Sequence, residues 1–262
     1  MIDTISIGLK LWSPNVALAP AAARLHEQGW IDALELYVVP GTFDATIAAW
    51  RGLGVPCMLH CPHAAHTFNL AKPELFEGNV EKFAEVQRFA DALDANVIVM
   101  HGGNRGTVEE AIRQLQHLND RRIFIENKPK VSLTGGICIG HSPEQIRRIV
   151  DEARLEGFVL DFGHATCAAN SAGVEPFEYI ERFLEASPRV FHIGDGDRTS
   201  EKDNHFNLGA GTFDLVRMVA CVPTRSTLTI ETPTDLGLGL TDFVENVRYL
   251  RTLLAARDGA PL

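Results

Sequence analysis

Short apolar segments recur along the chain, and most of them end in a residue that binds metal ions well. The end residues are typically about 25 to 40 positions apart, and the segments before them are rich in β-branched residues. In chain order they are His63, His101, Glu126, Asp161, His192, Asp203 with His205, and Glu231. In a closed barrel of parallel strands every strand end opens onto the same face, so these side chains would converge on one pocket.

Strand-like and helix-like segments alternate from end to end. The strand candidates are residues 5–9, 33–38, 55–60, 96–101, 122–126, 157–161, 188–193 and 226–231. Apolar residues at helical spacing mark residues 107–119, and the longest helical patterns are 72–94 and 240–257. In residues 142–156, Ser142 can cap a helix, Pro143 suits its first position, and Gln145 completes a capping box.

Eight strands that alternate with eight helices predict a (β/α)8 TIM barrel, forming a single domain over residues 1–262. The alternative is a doubly wound open sheet, which more often has a Gly-rich first turn. The first turn here, KLWSPN, has no GxGxxG motif. The longest excursions, 127–141, 162–173 and 194–210, follow predicted strand ends, and we expect them to be loops that build the pocket.

The bulk composition narrows the class of protein. The 262 residues are 45 % hydrophobic and 22 % charged, which is ordinary for a globular protein. The formal net charge of −10 argues against non-specific adhesion to nucleic acid or to anionic membranes. The N-terminus, MIDTISIGLKLW, resembles a strand rather than a signal peptide, and no apolar run approaches a membrane helix. Five cysteines without CxxC spacing favour free thiols and a cytoplasmic protein.

The histidines and carboxylates at the strand ends suggest a metal site. Five histidines lie at or just after strand ends, and four carboxylates end the same or neighbouring segments: His63, His101, His164, His192 and His205, with Glu126, Asp161, Asp203 and Glu231. A single histidine in such a place is more often structural. Carboxylates gathered in one pocket would repel one another, however, and divalent cations remove that conflict. The mixed donor set suits Zn²⁺, Mn²⁺ or Fe²⁺ better than Ca²⁺.

An ordered set of motifs resembles the endonuclease IV-like and xylose isomerase-like barrel superfamily, also described as AP endonuclease family 2. The motifs are PHAAHTFNL (62–70), VIVMHGG (97–103), IFIENKP (123–129), FVLDFGHATCAAN (158–170), VFHIGD (190–195), DNHFNLGAGTFD (203–214) and LTIETP (228–233). The resemblance covers roughly residues 55–235. The specificity lies in the ordered set, because each motif alone is weak.

The resemblance to endonuclease IV implies a site for up to three Zn²⁺ ions. One ion would be bound by His63, His101 and Glu126, and the outer one by His164, Asp203 and His205. The remaining ion would be bound by Asp161, His192, Glu231 and the bridging Glu126. Such metals lower the pKa of water, align it for attack and neutralise charge on a phosphate ester. The implied activity is phosphodiester hydrolysis.

The isomerase and epimerase branch of the superfamily shares only the inner ligands Glu126, Asp161, His192 and Glu231. The resemblance to that branch implies one Mn²⁺ or Mg²⁺ ion that polarises a ketose, while Glu126 and Glu231 move a proton across an enediolate. A mononuclear site would have less need of the outer residues. Metal content therefore discriminates the two interpretations.

Four further residues are candidates for substrate binding, each with a plain structural alternative. Lys10 and Trp12, in the segment IGLKLWS, would lie near the pocket face of the barrel; the structural alternatives are a surface lysine and a tryptophan packed in the core. His66 stands where the family has an aromatic residue, and Lys128 follows Glu126 in what could be a solvated loop. The second strand, ALELYVVPGTF, lacks the Arg, Lys or Gln that endonuclease IV uses to enter DNA.

Two enzymatic hypotheses follow, with catalytic roles for Glu126 and Glu231 in the second. The first is a multi-zinc phosphoesterase whose substrate is a small phosphate ester or abasic DNA. The alternative is a sugar or sugar-phosphate isomerase or epimerase. A barrel with purely structural metals is a third option, which the scarcity of Cys among the candidate ligands disfavours. The sequence does not indicate the oligomeric state.

Overall fold

Eight parallel strands close into a barrel in the order in which they occur along the chain. The structure, a computed structural model, describes residues 4–234, 237 and 239–257. The strands are β1 (Ser6–Trp12), β2 (Ala33–Tyr37), β3 (Cys57–His60), β4 (Ile98–His101), β5 (Ile123–Glu126), β6 (Gly157–Asp161), β7 (Val190–Ile193) and β8 (Thr227–Ile230). The predicted (β/α)8 barrel is confirmed, although β1 continues to Trp12, past the expected end at residue 9.

The helices cover the outside of the barrel. Within the described residues they are α1 (Ala19–Glu27), α2 (Phe43–Arg51), α3 (Phe76–Leu93), α4 (Val108–Leu118), α5 (Pro143–Ala153), α6 (Phe162–Ala172), α7 (Pro176–Leu184), α8 (Leu215–Ala220) and α9 (Thr241–Arg257). The amphipathic prediction for 107–119 is confirmed, since Ile112 and Leu115 of α4 are buried in the core between the helices and the sheet. None of the described helices is long and apolar enough to cross a membrane.

The start of α5 differs from the predicted capping box. The Ser142 side chain accepts a hydrogen bond from the Gln145 N–H at 3.3 Å, as expected for a cap. The Gln145 side chain, however, accepts from the N–H of Gly140 at 2.8 Å. Gly140 has a positive φ of 86°, which turns its N–H toward Gln145 and leaves the box half formed.

The prediction of a loop over residues 162–173 is wrong. These residues form α6, which begins directly after β6. The carboxylate of Asp161 caps the helix by accepting a hydrogen bond from the N–H of His164 at 2.6 Å. His164 therefore lies in the first turn of a helix, and its ring is buried. Two helices, α6 and α7, consequently connect β6 to β7.

Two layers of side chains fill the part of the barrel that matters for function. Because side chains alternate along a strand, residues two apart point to the same side. The lower layer is apolar: Met58, Val99, Phe124, Val159 and Val190. Two residues further along the same five strands come His60, His101, Glu126, Asp161 and His192. A shift of two residues along these strands therefore changes the side chains inside the barrel from apolar to ionisable.

Candidate metal centre

All eight strands carry an ionisable residue at or near the carboxyl end of the barrel. The eight residues are Lys10, Glu35, His60, His101, Glu126, Asp161, His192 and Glu231. They lie at or below the floor of a cavity of about 860 Å³. The parallel register explains the convergence, because Lys10 is level with Glu35, His101 with Glu126, and Asp161 with His192.

Glu126 lies at the centre of the cluster and is 1 % exposed. Its Oε2 atom is 2.9 Å from His101 Nε2 and 3.2 Å from His60 Nε2, and its Oε1 atom is 2.9 Å from His164 Nδ1. Burial favours the neutral carboxyl, but His101, His164 and His60 outweigh it and hold the pKa of Glu126 well below its usual value. Glu126 is therefore an anion surrounded by imidazoles, as a shared metal ligand requires.

Several buried polar atoms in this cluster lack hydrogen-bond partners. Among the described residues they are Glu35 Oε1, Glu126 Oε1, His192 Nδ1 and Asp203 Oδ2. Each lies within 4 Å of another donor or acceptor, but the angles do not allow a hydrogen bond. Buried polar atoms without hydrogen bonds are costly, and a bound cation would satisfy the carboxylate oxygens and the imidazole nitrogen among them. The His and carboxylate donors suit Zn²⁺, Mn²⁺ or Fe²⁺.

Within the described residues, four groups of side chains offer ligand atoms within 4.8 Å of one another, and three of these groups share a residue with another group. They are His60–His101–Glu126, His164–Asp203–His205, Glu126–Asp161–His192 and Glu35–His192–Glu231. The second group is the outer set expected from the sequence. The third agrees with the expected inner set, and Glu231 joins it, since Glu231 Oε1 is 2.8 Å from His192 Nδ1.

His60, rather than the expected His63, faces Glu126. The Nδ1 atom of His60 lies 2.7 Å from the carbonyl oxygen of Cys61, so a proton on Nδ1 leaves the Nε2 lone pair toward Glu126. His63 lies past the end of β3 and accepts a hydrogen bond at Nδ1 from the N–H of Ala65. Burial lowers the pKa of His63 to about 3, so its ring is neutral and carries its proton on Nε2. Sequence reasoning missed His60, although it ends the predicted strand 55–60.

The outer group forms around Asp203. Its Oδ2 atom is 2.9 Å from His205 Nε2 and 3.3 Å from His164 Nε2. Burial favours protonation of Asp203, but the two histidines hold its pKa far below the usual range. The backbone between Asp203 and His205 is not extended, because His205 has a left-handed φ of 49°. The two side chains still meet, through a turn.

Asp195 and Asp197, which follow His192, have different roles. Asp195 is 2 % exposed and accepts hydrogen bonds from the N–H groups of Gly196, Gly209, Gly211 and Phe213. It therefore anchors the long loop that carries Asp203 and His205. Asp197 is exposed and bonds to Thr199.

Three of the four substrate candidates, Lys10, Trp12 and Lys128, line the cavity, and His66 contacts the lining residue Tyr37. Lys10 lies on the floor, paired with Glu231 and with Glu35 at 3.3 Å. Lys128 lines the cavity with Nζ 3.1 Å from His164 Nε2 and 3.5 Å from His101 Nε2. Trp12 is 46 % exposed on the wall, with its ring 4.8 Å from that of Tyr37. The Tyr37 hydroxyl in turn lies 2.8 Å from Nδ1 of His66.

Comparison with known proteins finds relatives in sequence and in fold. A probable endonuclease 4 from Pediococcus pentosaceus is 28 % identical over 172 residues, covering 60 % of this chain and 58 % of that protein. The chain thus spans less than two thirds of the length of this relative.

Two solved structures also superpose on nearly the whole chain. A D-tagatose 3-epimerase-like protein has a TM-score of 0.74 at 18 % identity, covering 97 % of this chain and 99 % of that one. Endonuclease IV from Thermus thermophilus has a TM-score of 0.67 at 21 % identity, covering 96 % and 99 %. At these identities the structures show the fold alone.

A sequence profile of the Xylose isomerase-like TIM barrel family matches residues 28–253. The chain therefore belongs to the Xylose isomerase-like TIM barrel family, a family of enzymes.

Proposed function

We propose that the chain is a metal-dependent phosphoesterase that hydrolyses a small phosphate ester. The observation that carries the proposal is the outer group of His164, Asp203 and His205, which meets around one carboxylate oxygen. A mononuclear isomerase would need only the inner ligands, so a second well-formed group favours chemistry with more than one metal ion.

The residues divide into three metal positions. The outer ion would be held by His164, Asp203 and His205, and the inner one by Asp161, His192, Glu231 and the shared Glu126. A third would be held by His101 and Glu126 with either His60 or His63. When bound, the ions would lower the pKa of water and neutralise charge on a phosphate ester.

The cavity walls favour a small substrate over a duplex. Lys128 supplies positive charge for an anionic group, while Trp12 offers an apolar face for the rest of the molecule. The segment after β2, with Val38, Val39 and Pro40, has no basic residue that could enter DNA. The net charge of −10 also disfavours a phosphate backbone.

A sugar isomerase or epimerase is the second candidate. The similarity to the D-tagatose 3-epimerase-like fold supports it, as do the inner four ligands. In that reaction Glu126 and Glu231 would move the proton between neighbouring carbons, with one Mn²⁺ or Mg²⁺ ion polarising the carbonyl.

Metal content and substrate choice separate the two functions. The protein purified without chelator or tag should contain about three metal ions per chain, rich in zinc, and should hydrolyse p-nitrophenyl phosphate or its diester faster than abasic duplex DNA. His205→Ala should lose one ion and most of this activity. His117→Ala is the matched control, because His117 lies on the exposed face of α4, against Phe76.

Other results would redirect the proposal. One ion that exchanges with manganese, together with turnover of ketoses, would replace the phosphoesterase with the isomerase. Preferred cleavage of abasic DNA would support the proposed phosphoesterase activity but contradict the proposal that the substrate is small.

A further inference from the structure

His192 lies between two carboxylates deep in the barrel, and its ring is fully buried. Its Nε2 atom is 2.8 Å from Glu35 Oε2, with the geometry of a hydrogen bond. Its Nδ1 atom is 2.8 Å from Glu231 Oε1, but the angles do not allow a hydrogen bond there. The two ring nitrogens therefore have different surroundings.

This difference selects one tautomer of the imidazole. In the neutral ring that binds a cation, Nε2–H donates a hydrogen bond to Glu35 and the lone pair lies on Nδ1. Around Nδ1 are the carboxylates of Glu231, Glu126 at 3.8 Å and Asp161 at 4.0 Å. These are the proposed inner ligands, so Nδ1 is the atom on the metal side of the ring and Nε2 the atom on the far side.

Glu35 is held firmly in place by its neighbours. It is completely buried on β2, and its Oε2 atom also accepts a hydrogen bond from the Thr229 hydroxyl at 2.9 Å. The Lys10 ammonium lies 3.3 Å from Oε1 and compensates the buried charge. Lys10 also bonds to Glu231, so it links the carboxylates on the two sides of His192.

We propose that Glu35 is a positioning residue of the metal centre, whose carboxylate fixes His192 in the tautomer that presents Nδ1 to the inner cation. The proposal rests on the metal centre described above, but not on the choice between hydrolysis and isomerisation, since both use His192. A carboxylate behind a ligating histidine orients the ring and raises its basicity. The competing role is direct ligation, because Glu35, His192 and Glu231 also lie close enough to share an ion.

Nitrogen NMR of the unmodified protein distinguishes these roles. The full chain, with ¹⁵N-labelled histidine, is loaded with ¹¹³Cd²⁺, and the His192 resonances are assigned by comparison with His192→Gln. We expect cadmium–nitrogen coupling at Nδ1 and a proton on Nε2. Coupling at Nε2 would overturn the proposal, because the cation would then lie on the Glu35 side of the ring. Failure to bind any divalent cation would overturn the metal centre itself.

Substitution of Glu35 adds a second, independent measurement. In chelator competition with Zn²⁺, Glu35→Gln should weaken one site about 10- to 100-fold, the range for residues behind a metal ligand. Glu35→Ala should weaken it further, because the amide of Gln can still accept the Nε2 proton. Glu85→Gln is the matched control, since Glu85 accepts hydrogen bonds from the N–H groups of Gly41, in the loop after β2, and of Phe43, at the start of α2. Unchanged affinity in folded Glu35→Gln and Glu35→Ala would contradict a positioning role.

Discussion

The two inner layers of the barrel are built by the same five strands and differ in almost every physical respect. Phe124, Val159 and their neighbours in the lower layer form an apolar cluster. Glu126 and Asp161, two residues further on, are just as buried but ionisable. The comparison shows that residues that stabilise the fold lie only two positions along the strand from residues that can bind metal ions.

The layers also differ in energy. Burying an apolar side chain of this size stabilises the fold by about 1.5–3 kcal/mol. Burying carboxylates opposes folding unless partners compensate them. In the upper layer, burial raises the pKa of Asp161 to about 6, and the charges of Asp203 and Glu231 act in the same direction. Bound cations would therefore stabilise the charged carboxylates of the upper layer, whereas the apolar lower layer contains no charge to compensate.

The largest effect should come from Glu126, the centre of the upper layer. Glu126→Gln removes the charge shared by the imidazoles of His60, His101 and His164. We expect at least two ions to be weakened by about 100-fold or more, above the effect of a residue behind a ligand, and turnover to be abolished. Elemental analysis and initial rates measure both. Full metal content and an unchanged rate would show that Glu126 does not bridge.

The lower layer should show the opposite response. Phe124→Ala leaves a cavity beside Gly157 and should cost about 3–5 kcal/mol of unfolding free energy. Urea unfolding measures this cost, and the metal content of the folded fraction should stay at the wild-type value. If Phe124→Ala emptied the metal sites as Glu126→Gln does, the two layers would not be separable.

A smaller difference in metal affinity is expected between variants of two neighbouring histidines. His60 belongs to the upper layer, and His63 lies beyond the end of β3. We expect His60→Gln to lower the affinity for one ion more than His63→Gln does, because His60 Nε2 faces Glu126. Zinc titration against a chelator compares the two variants directly. The reverse order would restore His63, the ligand implied by the sequence resemblance.

The smallest effect should occur at the opposite end of β5. Asp120 accepts hydrogen bonds from Arg122 and Gln87. Burial opposes its ionisation, but these bonds lower the pKa of Asp120 from 3.8 to about 2. A depressed folded-state pKa gives stability that is complete above the unfolded value and is lost as the pH falls through the folded one.

We therefore expect Asp120→Asn to cost about 1 kcal/mol at neutral pH, after allowance for solvent around the partly exposed Arg122. The difference from wild type should shrink as the pH falls from about 4 to about 2. Urea unfolding at several pH values measures it, with metal content unchanged. A difference independent of pH would mean that the charge of Asp120 contributes nothing.

Much of the fold could be predicted because its signals are local. The apolar segment from residue 157 to 161 and the helical spacing in α4 depend only on neighbouring residues. The helix α6 was not predicted, because Phe162–Ala172 has no amphipathic pattern and is buried on nearly all sides. The helix begins at a cap formed by Asp161, which is also a candidate metal ligand. From the sequence alone, an aspartate at this position is compatible with either role.

The sequence by itself determined the number and order of the strands and most residues that could bind metal. Only the tertiary structure decided which of them face one another. His60 and His63 both follow apolar residues and both line the cavity, and the end of β3 decides that His60 is the one that faces Glu126. Glu35 and His192 are 157 positions apart, and Lys10 and Glu231 are 221 apart. Their pairing arises from barrel closure, which sets the register between strands and cannot be read from a local pattern.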